Sequence, residues 1–258
     1  MRRAPALVLV LASALGCRGN PTPAAAVASR ADGALPTVTA PRVTGAVRWD
    51  GRLDEPVWAS ARRVGGFVHP TTGQPEPASR VNGDARVAWS DAGLLLAFEV
   101  RDRDAQSPYP PPLRDAHVWE RASGVELMLQ PGDFGDNREY FEVQVGVNGA
   151  RWTTRFDDYN RPVGRDPSGA MHFGHEEWEP ALECGTAKTN DGYVVEMLLP
   201  WGAVLTSRVT APPRAGETWR MNLYTFRDGQ RDSLAWSPLL GQGNFHRSTR
   251  FGRVVFGG

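Results

Sequence analysis

The stretch EYFEVQVGVNG, residues 139–149, alternates apolar and polar side chains with a period of two. In an extended chain its apolar positions from Phe141 to Val147 fall on one side, and Glu142 and Gln144 fall on the other. An α-helix would require apolar residues every three or four positions, so the pattern predicts a β-strand. One face of this strand is expected to join a hydrophobic core, while the other presents polar groups.

Further strands are predicted in the same way. RVAWS (86–90) and GLLLAFEVRDRD (93–104) indicate two strands joined by a hairpin-type turn, and GVELMLQ (124–130), YVVEMLLPW (193–201), TWRMNLYTF (218–226) and RFGRVVF (250–256) indicate more. Helical signals are sparse, and Asp54-Glu55-Pro56 followed by Val57-Trp58-Ala59 predicts one short turn. Many short strands with few short helical turns predict an all-β fold, an antiparallel β-sandwich.

The beginning of the sequence differs in composition from the rest. Residues 1–17, MRRAPALVLVLASALGC, combine two arginines with an apolar run, which predicts a secretory signal too short to span a bilayer. Cys17 follows a small residue, as at a bacterial lipoprotein cleavage site, and its lipidation would anchor the mature protein to a membrane. The alternative is an ordinary signal peptide that contains a cysteine. Residues 18–42, rich in Pro, Ala and Thr, predict a flexible linker, which leaves residues 43–258 as the folded domain.

Charge and cysteine content narrow the function. Lys and Arg total 29, Asp and Glu total 29, and Lys188 is the only lysine. With neither an arginine-rich block nor zinc-ligand spacing, the sequence gives no indication of a nucleic-acid partner. Only Cys184 remains after Cys17, so the mature chain is expected to form no internal disulfide.

Alternation also predicts a polar surface. If the strands named above share one sheet, the polar residues opposite their apolar faces gather on its outer side. A solvated sheet face is one interpretation. A binding surface is the other, because Trp119 and Phe245 lie close to strand ends. The residues of this polar face are Glu126, Glu142, Gln144, Arg220, Asn222 and Tyr224.

Several segments, taken in order, resemble the family 9 carbohydrate-binding modules and their relatives. The resemblance extends over about residues 43–256 and implies an immunoglobulin-like or jelly-roll β-sandwich that binds sugars and is not catalytic. It requires no cofactor, although structural calcium is common in the family. The segments are VRWDGRLDEPVW (47–58), RVAWSDAGLLLAFEVRD (86–102), VWERASGVELML (118–129), DGYVVEMLLPW (191–201), ETWRMNLYTFR (217–227), AWSPL (235–239) and NFHRSTRFGRVVF (244–256).

The resemblance also implies a site in which two aromatic side chains clamp a sugar. Two departures from the family concern this site. The family's Asp before Val-Glu is Ser123 or Gly124 here, and a sugar-contacting Arg of the family aligns with Glu142. The family's positions otherwise fall on Trp119 and Phe245 as the aromatic pair, on Glu126, Gln144 and Tyr224 as polar strand residues, and on Asn244 beside the second aromatic.

This chemistry suits a saccharide. The C–H faces of a sugar ring pack on aromatic rings, while its hydroxyls need amide or charged partners. We therefore expect Trp119 to be a platform for ligand, the alternative being that it caps the sandwich beneath a loop. Trp152 and Trp178 could lie in the core or beside the site. The remaining tryptophans in strand or signature positions are expected in the core, namely Trp58, Trp89, Trp201, Trp219 and Trp236.

Metal and haem sites are weaker hypotheses. Two aspartate pairs could bind calcium through oxygen ligands or could simply form turns, namely Asp102 with Asp104 and Asp133 with Asp136. His172, His175, Glu176 and Glu177 predict a polar loop rather than a zinc site, because their spacing matches no known zinc motif. Some related sandwiches bind haem through Met and His, for which Met128, Met221 and His246 are candidates, although alternation places Met221 in the core.

The sequence gives little support to an enzyme. There is no Gly-x-Ser-x-Gly, HExxH or phosphate-binding loop. Glu126 and Glu142 could form a glycosidase pair, but on a sheet surface they are expected to be exposed, with no burial to raise a pKa.

We therefore predict a non-catalytic carbohydrate-binding protein, exported and anchored as an outer-membrane lipoprotein of a bacterium, facing the periplasm or the cell surface. It would bind a mono-, oligo- or polysaccharide near a glycoside hydrolase or an outer-membrane transport partner, in support of polysaccharide catabolism. The alternative is an envelope scaffold with the same fold that has lost sugar binding, and a haem-binding domain is third.

Overall fold

Two β-sheets pack face to face in the computed structural model, which describes residues 28–241 and 243–258. The first sheet contains β1 (Thr37–Ala40), β5 (Gly124–Gln130), β6 (Arg138–Gly146), β7 (Arg151–Asp158), β12 (Thr218–Arg227), β13 (Asp232–Ala235) and β14 (Gly252–Phe256). The second contains β2 (Arg62–Val64), β3 (Asn82–Trp89), β4 (Gly93–Arg101), β10 (Glu183–Lys188) and β11 (Gly192–Pro200). The other elements are a ribbon of β8 (Gly164–Arg165) and β9 (Met171–His172), the helices α1 (Pro56–Ser60) and α2 (Val118–Arg121), and the 3₁₀ turns Trp201–Ala203 and Ser248–Arg250.

The strand order confirms the predicted antiparallel sandwich. The first sheet runs β1-β14-β12-β5-β6-β7, with β13 also paired to β12, and the second runs β10-β11-β4-β3-β2. Strand pairs within both sheets are antiparallel, except that β1 lies parallel to β14. Since β12, β5 and β6 are adjacent, the polar residues predicted on their outer faces do share one surface.

The main core lies between the two sheets. Alternation along each strand directs one apolar set inward from both sides, as the sequence predicts. The predicted inward residues are all buried in this one cluster, including Leu94, Leu96, Phe98 and Val100 of β4, Phe141, Val143 and Val145 of β6, and Trp219, Met221 and Leu223 of β12. Five tryptophans predicted in the core are buried as well, namely Trp58, Trp89, Trp201, Trp219 and Trp236.

The linker predicted for residues 18–42 is wrong for the residues nearest the domain. Thr37–Ala40 form β1, which pairs with β14 at the edge of the first sheet. Before it, the backbone N–H of Arg30 donates to the carbonyl of Gly73, and Arg250 Nη1 donates to the carbonyl of Gly33 at 2.7 Å. The linker is predicted because this segment has no apolar period. A strand at a sheet edge does not need an apolar period, because it pairs through its backbone hydrogen bonds.

The predicted signal peptide and Cys17 lie outside the described residues. Within the described part of the chain, no helix combines the length and the apolar character that crossing a membrane requires.

A close backbone approach at Gly51 fixes the turn that precedes α1. Gly51 has φ +78°, and a Cβ there would lie 2.2 Å from the backbone nitrogen of Ala187 in β10. Its N–H donates to Oε2 of Glu196 in β11 at 2.7 Å. Pro56 then starts α1, as the sequence predicts, and this helix inserts Val57 and Trp58 into a second cluster on the outer side of the second sheet.

Gly51→Ala is expected to lower the free energy of unfolding by more than about 1 kcal/mol, because it combines a strained positive φ with a backbone clash. Urea unfolding followed by Trp fluorescence measures the loss. The matched control is Gly202→Ala, since a Cβ at Gly202 would meet no atom within 4 Å, and we expect it to change stability by less than about 0.5 kcal/mol. Equal stability of the two variants would contradict this account of the turn.

Candidate functional site

Side chains of matching register form rows across the outer face of the first sheet. Cross-strand neighbours lie about 5 Å apart at Cβ, so the members of a row contact one another. Polar residues concentrate in two rows that cross β12, β5, β6 and β7. These are Tyr224–Glu126–Gln144–Trp152 and Asn222–Met128–Glu142–Thr154.

A groove of about 540 Å³ lies over the β5–β7 part of these rows. Its size is within the range of small-molecule sites. Residues predicted from the sequence that line it are Trp119, Glu126, Glu142, Gln144, Asn244 and Phe245. Lining residues that sequence reasoning left undecided or assigned no sugar contact include Trp152, Thr154, Phe156, Tyr159, Gln230 and His246.

Trp119 forms an exposed aromatic wall of the groove. It lies on α2. The first residue of this helix, Val118, is fully buried against Phe226 and Trp152 and so holds the helix to the sheet. The ring of Trp119 is 39% exposed and stacks on His117 with centroids 5.5 Å apart. His117 in turn packs edge-on against Trp152 at 4.8 Å, so the wall is supported from the sheet upward.

Phe245 is a buried wall rather than an exposed one. Its ring stacks on that of Tyr224 with centroids 3.9 Å apart and planes 3° from parallel, and it is only 7% exposed. Asn222 donates to the Tyr224 hydroxyl at 2.7 Å and accepts from the backbone N–H of Ser237 at 2.9 Å. The prediction that Tyr224 and Asn222 contact ligand is therefore not supported by the structure, since Ser237 and Phe245 cover both side chains, which position Phe245 from beneath.

Arg220 also lies away from the groove, in contrast to its predicted place on the binding face. Its guanidinium pairs with Asp133 and donates to the carbonyl of Thr249 at 3.2 Å. Asp136 is bound by Arg208 at 2.7 Å. These two aspartates, predicted as a calcium pair, therefore fix loops through arginine rather than facing one another around an ion.

The other predicted calcium pair is similarly occupied. Asp102 is buried and accepts from Arg227 and from the Ser123 hydroxyl, each at 3.0 Å, while Asp104 lies 3.9 Å from the same arginine. Among residues 28–241 and 243–258, no three His, Cys, Asp or Glu side chains form a metal-binding group. Calcium binding thus stays a prediction to which the geometry adds no support.

The floor of the groove contains two carboxyl groups joined by one amide. Gln144 Nε2 donates to Glu126 Oε2 at 3.0 Å and to Glu142 Oε1 at 2.6 Å. Gln230 Nε2 donates to the same Glu126 oxygen at 2.9 Å. Oε1 of Glu126, Oε1 of Gln144 and Oγ1 of Thr154 are buried with no hydrogen-bond partner among the described residues.

Burial changes the protonation of this pair, contrary to the exposed carboxylates expected from the sequence. Burial, together with the neighbouring Glu142, raises the pKa of Glu126 well above its ordinary value. Burial raises the pKa of Glu142 to about 7. Desolvation disfavours a charged carboxylate, so at neutral pH the pair holds protons that exposed carboxylates would have lost.

The end of the groove opposite α2 is aromatic. Tyr159 stacks on His246 with centroids 4.2 Å apart, and Phe156 stacks on Tyr140 at 4.6 Å. The Tyr140 hydroxyl lies 2.8 Å from His246 Nδ1. Burial lowers the pKa of His246 to about 3, so this imidazole is neutral at physiological pH.

The segment from Asp166 to Glu176 covers the groove from one side. Met171 and Phe173 face the groove, and His172 Nδ1 lies 3.4 Å from Glu176 Oε1. Thus the histidine-rich stretch forms a polar loop, as predicted, and part of it lines the candidate site.

The haem alternative loses one of its proposed ligands. Met221 is buried in the core between the sheets, whereas Met128 and His246 lie on the outer side of the first sheet. A single haem could not contact both faces of the sheet.

Comparisons with known proteins agree with the architecture. A carbohydrate-binding module of family 9 from Caldicellulosiruptor kristjanssonii in complex with cellotriose shares 15% identity over 86% of this chain and 94% of its own, with a TM-score of 0.57. The glucose complex of a family 9 module from that organism gives 16% identity, the same 86% and 96% coverage, and a TM-score of 0.55. A Bacteroides uniformis protein predicted to bind carbohydrate gives 17% identity, covers 86% and 100%, and has a TM-score of 0.65.

Comparisons of sequence match the chain to a family model but to no curated protein. No curated protein sequence matches the chain significantly. Residues 49–258, which include both sheets apart from β1, match the family model described as carbohydrate family 9 binding domain-like. With most of its length matched, the chain belongs to that family of binding domains.

Proposed function

We propose that this protein binds carbohydrate in the groove without altering it chemically. The observation that carries the proposal is an exposed indole, Trp119, in the same groove as buried polar atoms that have no hydrogen-bond partner in the described part of the chain. An aromatic platform next to hydrogen-bonding groups is the combination that a sugar ring, apolar on its faces and polar on its rim, requires.

The unsatisfied polar atoms support a polar ligand. Leaving a buried donor or acceptor unpaired costs about 1–3 kcal/mol. Glu126, Gln144 and Thr154 each have such an atom, and all three line the groove. Hydroxyl groups of a saccharide could pair with these atoms, and a protonated Glu142 could also donate a hydrogen bond.

The relatives support the same ligand class. Family 9 modules of similar fold have been seen with glucose and with cellotriose. The departures from the family at Ser123 or Gly124 and at Glu142 mean that the preferred sugar of this chain can differ from both.

The family supports binding rather than hydrolysis. The chain belongs to a family of carbohydrate-binding domains, and the structures of similar fold seen with sugars are binding modules. We therefore propose that no glycosidic bond is cleaved.

The proposed setting is a bacterial cell envelope. The amino-terminal signal and Cys17 suggest export and attachment as an outer-membrane lipoprotein, in which the domain would hold saccharide near a glycoside hydrolase or a transport partner. A scaffold that has lost sugar binding is the second candidate, favoured by the near-complete burial of Phe245. A panel of glucose, cellobiose, xylan and chitin fragments separates the two by thermal shift, because a ligand that binds only the folded state stabilises it.

Trp119→Ala is expected to reduce saccharide affinity on the order of thirtyfold or more, as truncation of an aromatic anchor does. Because the ring is exposed, the substitution should change the protein's free energy of unfolding by less than about 0.5 kcal/mol. Titration calorimetry and urea unfolding measure the two effects. Leu205→Ala, an exposed apolar residue outside the groove, is the control and should keep full affinity. A large stability loss with unchanged affinity would place the indole in a structural role.

The carboxyl pair predicts a pH dependence of stability. Glu126 and Glu142 have folded pKa values above the ordinary 4.5, so the folded protein holds protons that the unfolded chain has released. The free energy of unfolding should therefore fall as the pH rises from about 6.5 to 8.5. His246 opposes the fall only at the lower end of this window, because the unfolded imidazole, with an ordinary pKa of 6.5, still binds protons there while the buried imidazole does not. Glu196, whose pKa burial also raises to about 7, contributes in the same direction.

Glu142→Gln should make that fall smaller, because it removes one of the retained protons. Asp91→Asn, at an exposed turn of the second sheet, should leave the slope as it is in the unmodified protein. Urea midpoints across the pH window measure the effect, and identical slopes for the two variants would argue against a protonated Glu142.

A further inference from the structure

The groove has an acidic lining that the composition of the chain does not suggest. Four carboxyl groups line it, from Glu126, Glu142, Asp166 and Glu176, and no Arg or Lys is among the described lining residues. The chain as a whole has 29 basic and 29 acidic residues. The acidic character therefore results from where the side chains are placed.

Histidines do not neutralise this lining. The imidazole of His246 is neutral because burial lowers its pKa to about 3. His172 lies 4.0 Å from Asp166 and 3.4 Å from Glu176, at the rim of the groove. His172 therefore lies beside the two carboxyl groups at the rim. The two on the floor, those of Glu126 and Glu142, have no Arg or Lys partner among the described lining residues.

The floor carboxyls differ from the buried carboxylate of Asp102, which is bound by Arg227. Glu126 and Glu142 instead accept hydrogen bonds from the amides of Gln144 and Gln230. Glu126 is fully buried and lines the groove, and its Oε1 has no hydrogen-bond partner among the described residues. This unpaired oxygen is an observation independent of the acidic cluster, and a cationic donor bound beside it would favour the carboxylate over the protonated form that burial retains.

We propose that the groove selects saccharides that carry a protonated amine, such as glucosamine units with free amino groups, over N-acetylated, neutral and uronic acid sugars. This inference rests on the proposed carbohydrate binding and names its substrate class. An ammonium group supplies three donors and a positive charge, and hydrogen bonds between charged groups are about twice as strong as neutral ones. A uronate would place its carboxylate in a groove whose described lining holds four carboxyl groups and no Arg or Lys.

The proposal links binding to proton release. Burial raises the pKa of Glu142 to about 7, so at about pH 6 this carboxyl is protonated in the free groove. An ammonium bound beside it would favour the carboxylate and expel the proton to solvent. The other titratable groups facing Glu126 and Glu142 either are acids that raise these pKa values or are uncharged at this pH, namely Glu176, Tyr140, Tyr159, Tyr224 and His246.

The test compares trisaccharides by titration calorimetry at about pH 6, where an aliphatic amine is charged. The ligands are the glucosamine trimer, its N-acetylated counterpart, cellotriose and a galacturonic acid trimer. We expect the glucosamine trimer to bind about tenfold or more tightly than the N-acetylated trimer, and the uronic acid trimer to bind least. Repeating the titration in buffers of different ionisation enthalpy should show proton release for the glucosamine trimer alone.

Variants assign the effect to the groove. In Glu142→Gln and in Glu176→Gln the affinity ratio between the glucosamine and N-acetylated trimers should decrease, and Glu142→Gln should also reduce the proton release. Glu176 is partly exposed, so its substitution is expected to leave folding intact. Asp91→Asn removes one negative charge from an exposed turn of the other sheet and should keep the ratio.

The outcomes distinguish the two proposals. An affinity ratio near one, or a preference for cellotriose or the uronic acid trimer, would overturn the amine preference while leaving carbohydrate binding intact. A ratio that persists in the Glu142→Gln and Glu176→Gln double variant would overturn the assignment to these carboxyls. If all four trimers fail to bind the unmodified protein, both the proposed function and this inference fail.

Discussion

The register of β5 between β12 and β6 determines both the core and the groove. Glu126 lies opposite Tyr224 on one side and Gln144 on the other, while its neighbours Val125 and Leu127 point into the core. A shift of one residue would exchange the two faces, burying a carboxyl between the sheets and exposing an apolar row. The apolar face specifies this register strongly, and the polar face is positioned by the same pairing. The site therefore depends on hydrophobic packing that lies on the opposite side of the sheet.

The outer face of the first sheet is not a solvated surface, because an apolar cluster of its own, separate from the core between the sheets, covers much of it. Tyr224 and Phe251 belong to this cluster together with Tyr140 and Phe156. Phe245 and Phe251, which lie in loops, pack on the strand residues Tyr224 and Tyr140, so the polar groups of the two rows are desolvated even though they point away from the core. Desolvation raises the pKa values of Glu126 and Glu142 and leaves acceptor atoms without partners among the described residues, a cost in stability that is typical of functional sites. The same loops enclose the groove on its sides.

Alternation in the sequence was sufficient to predict which face each strand residue occupies, and it placed Glu126, Glu142 and Gln144 correctly. It could not predict what covers that face. Arg220 and Asn222 have the same alternation, but their side chains donate hydrogen bonds to the carbonyls of Thr249 and Ser237, which lie over this part of the sheet. The conformation of such a loop is determined by tertiary contacts rather than by a local period. The sequence RWTTRF places Trp152, Thr154 and Phe156 at a period of two. This alternation could have predicted a further strand beside the polar face.

The resemblance located the aromatic pair but not its exposure. A match of residue type at Phe245 carries no information about Tyr224 stacking beneath it. Likewise, the composition of residues 28–40 did not indicate that a free edge of β14 would pair with them. In both cases the missing information was a partner distant in sequence, which neither periodicity nor motif spacing contains.

Charge placement is the last property that composition conceals. The chain is neutral overall, yet arginines neutralise carboxylates one by one on loops and strand ends, as at Asp133, Asp136 and Asp102. Each such pair cancels locally, and its field falls off over a short distance in salt. The carboxyl groups of the groove are instead surrounded by amides and aromatic rings. They lie in a concave site whose low-dielectric walls strengthen their electric field. A neutral protein can therefore present a single acidic concavity, because the potential at a site is set by its nearest unpaired groups and not by the sum over the chain.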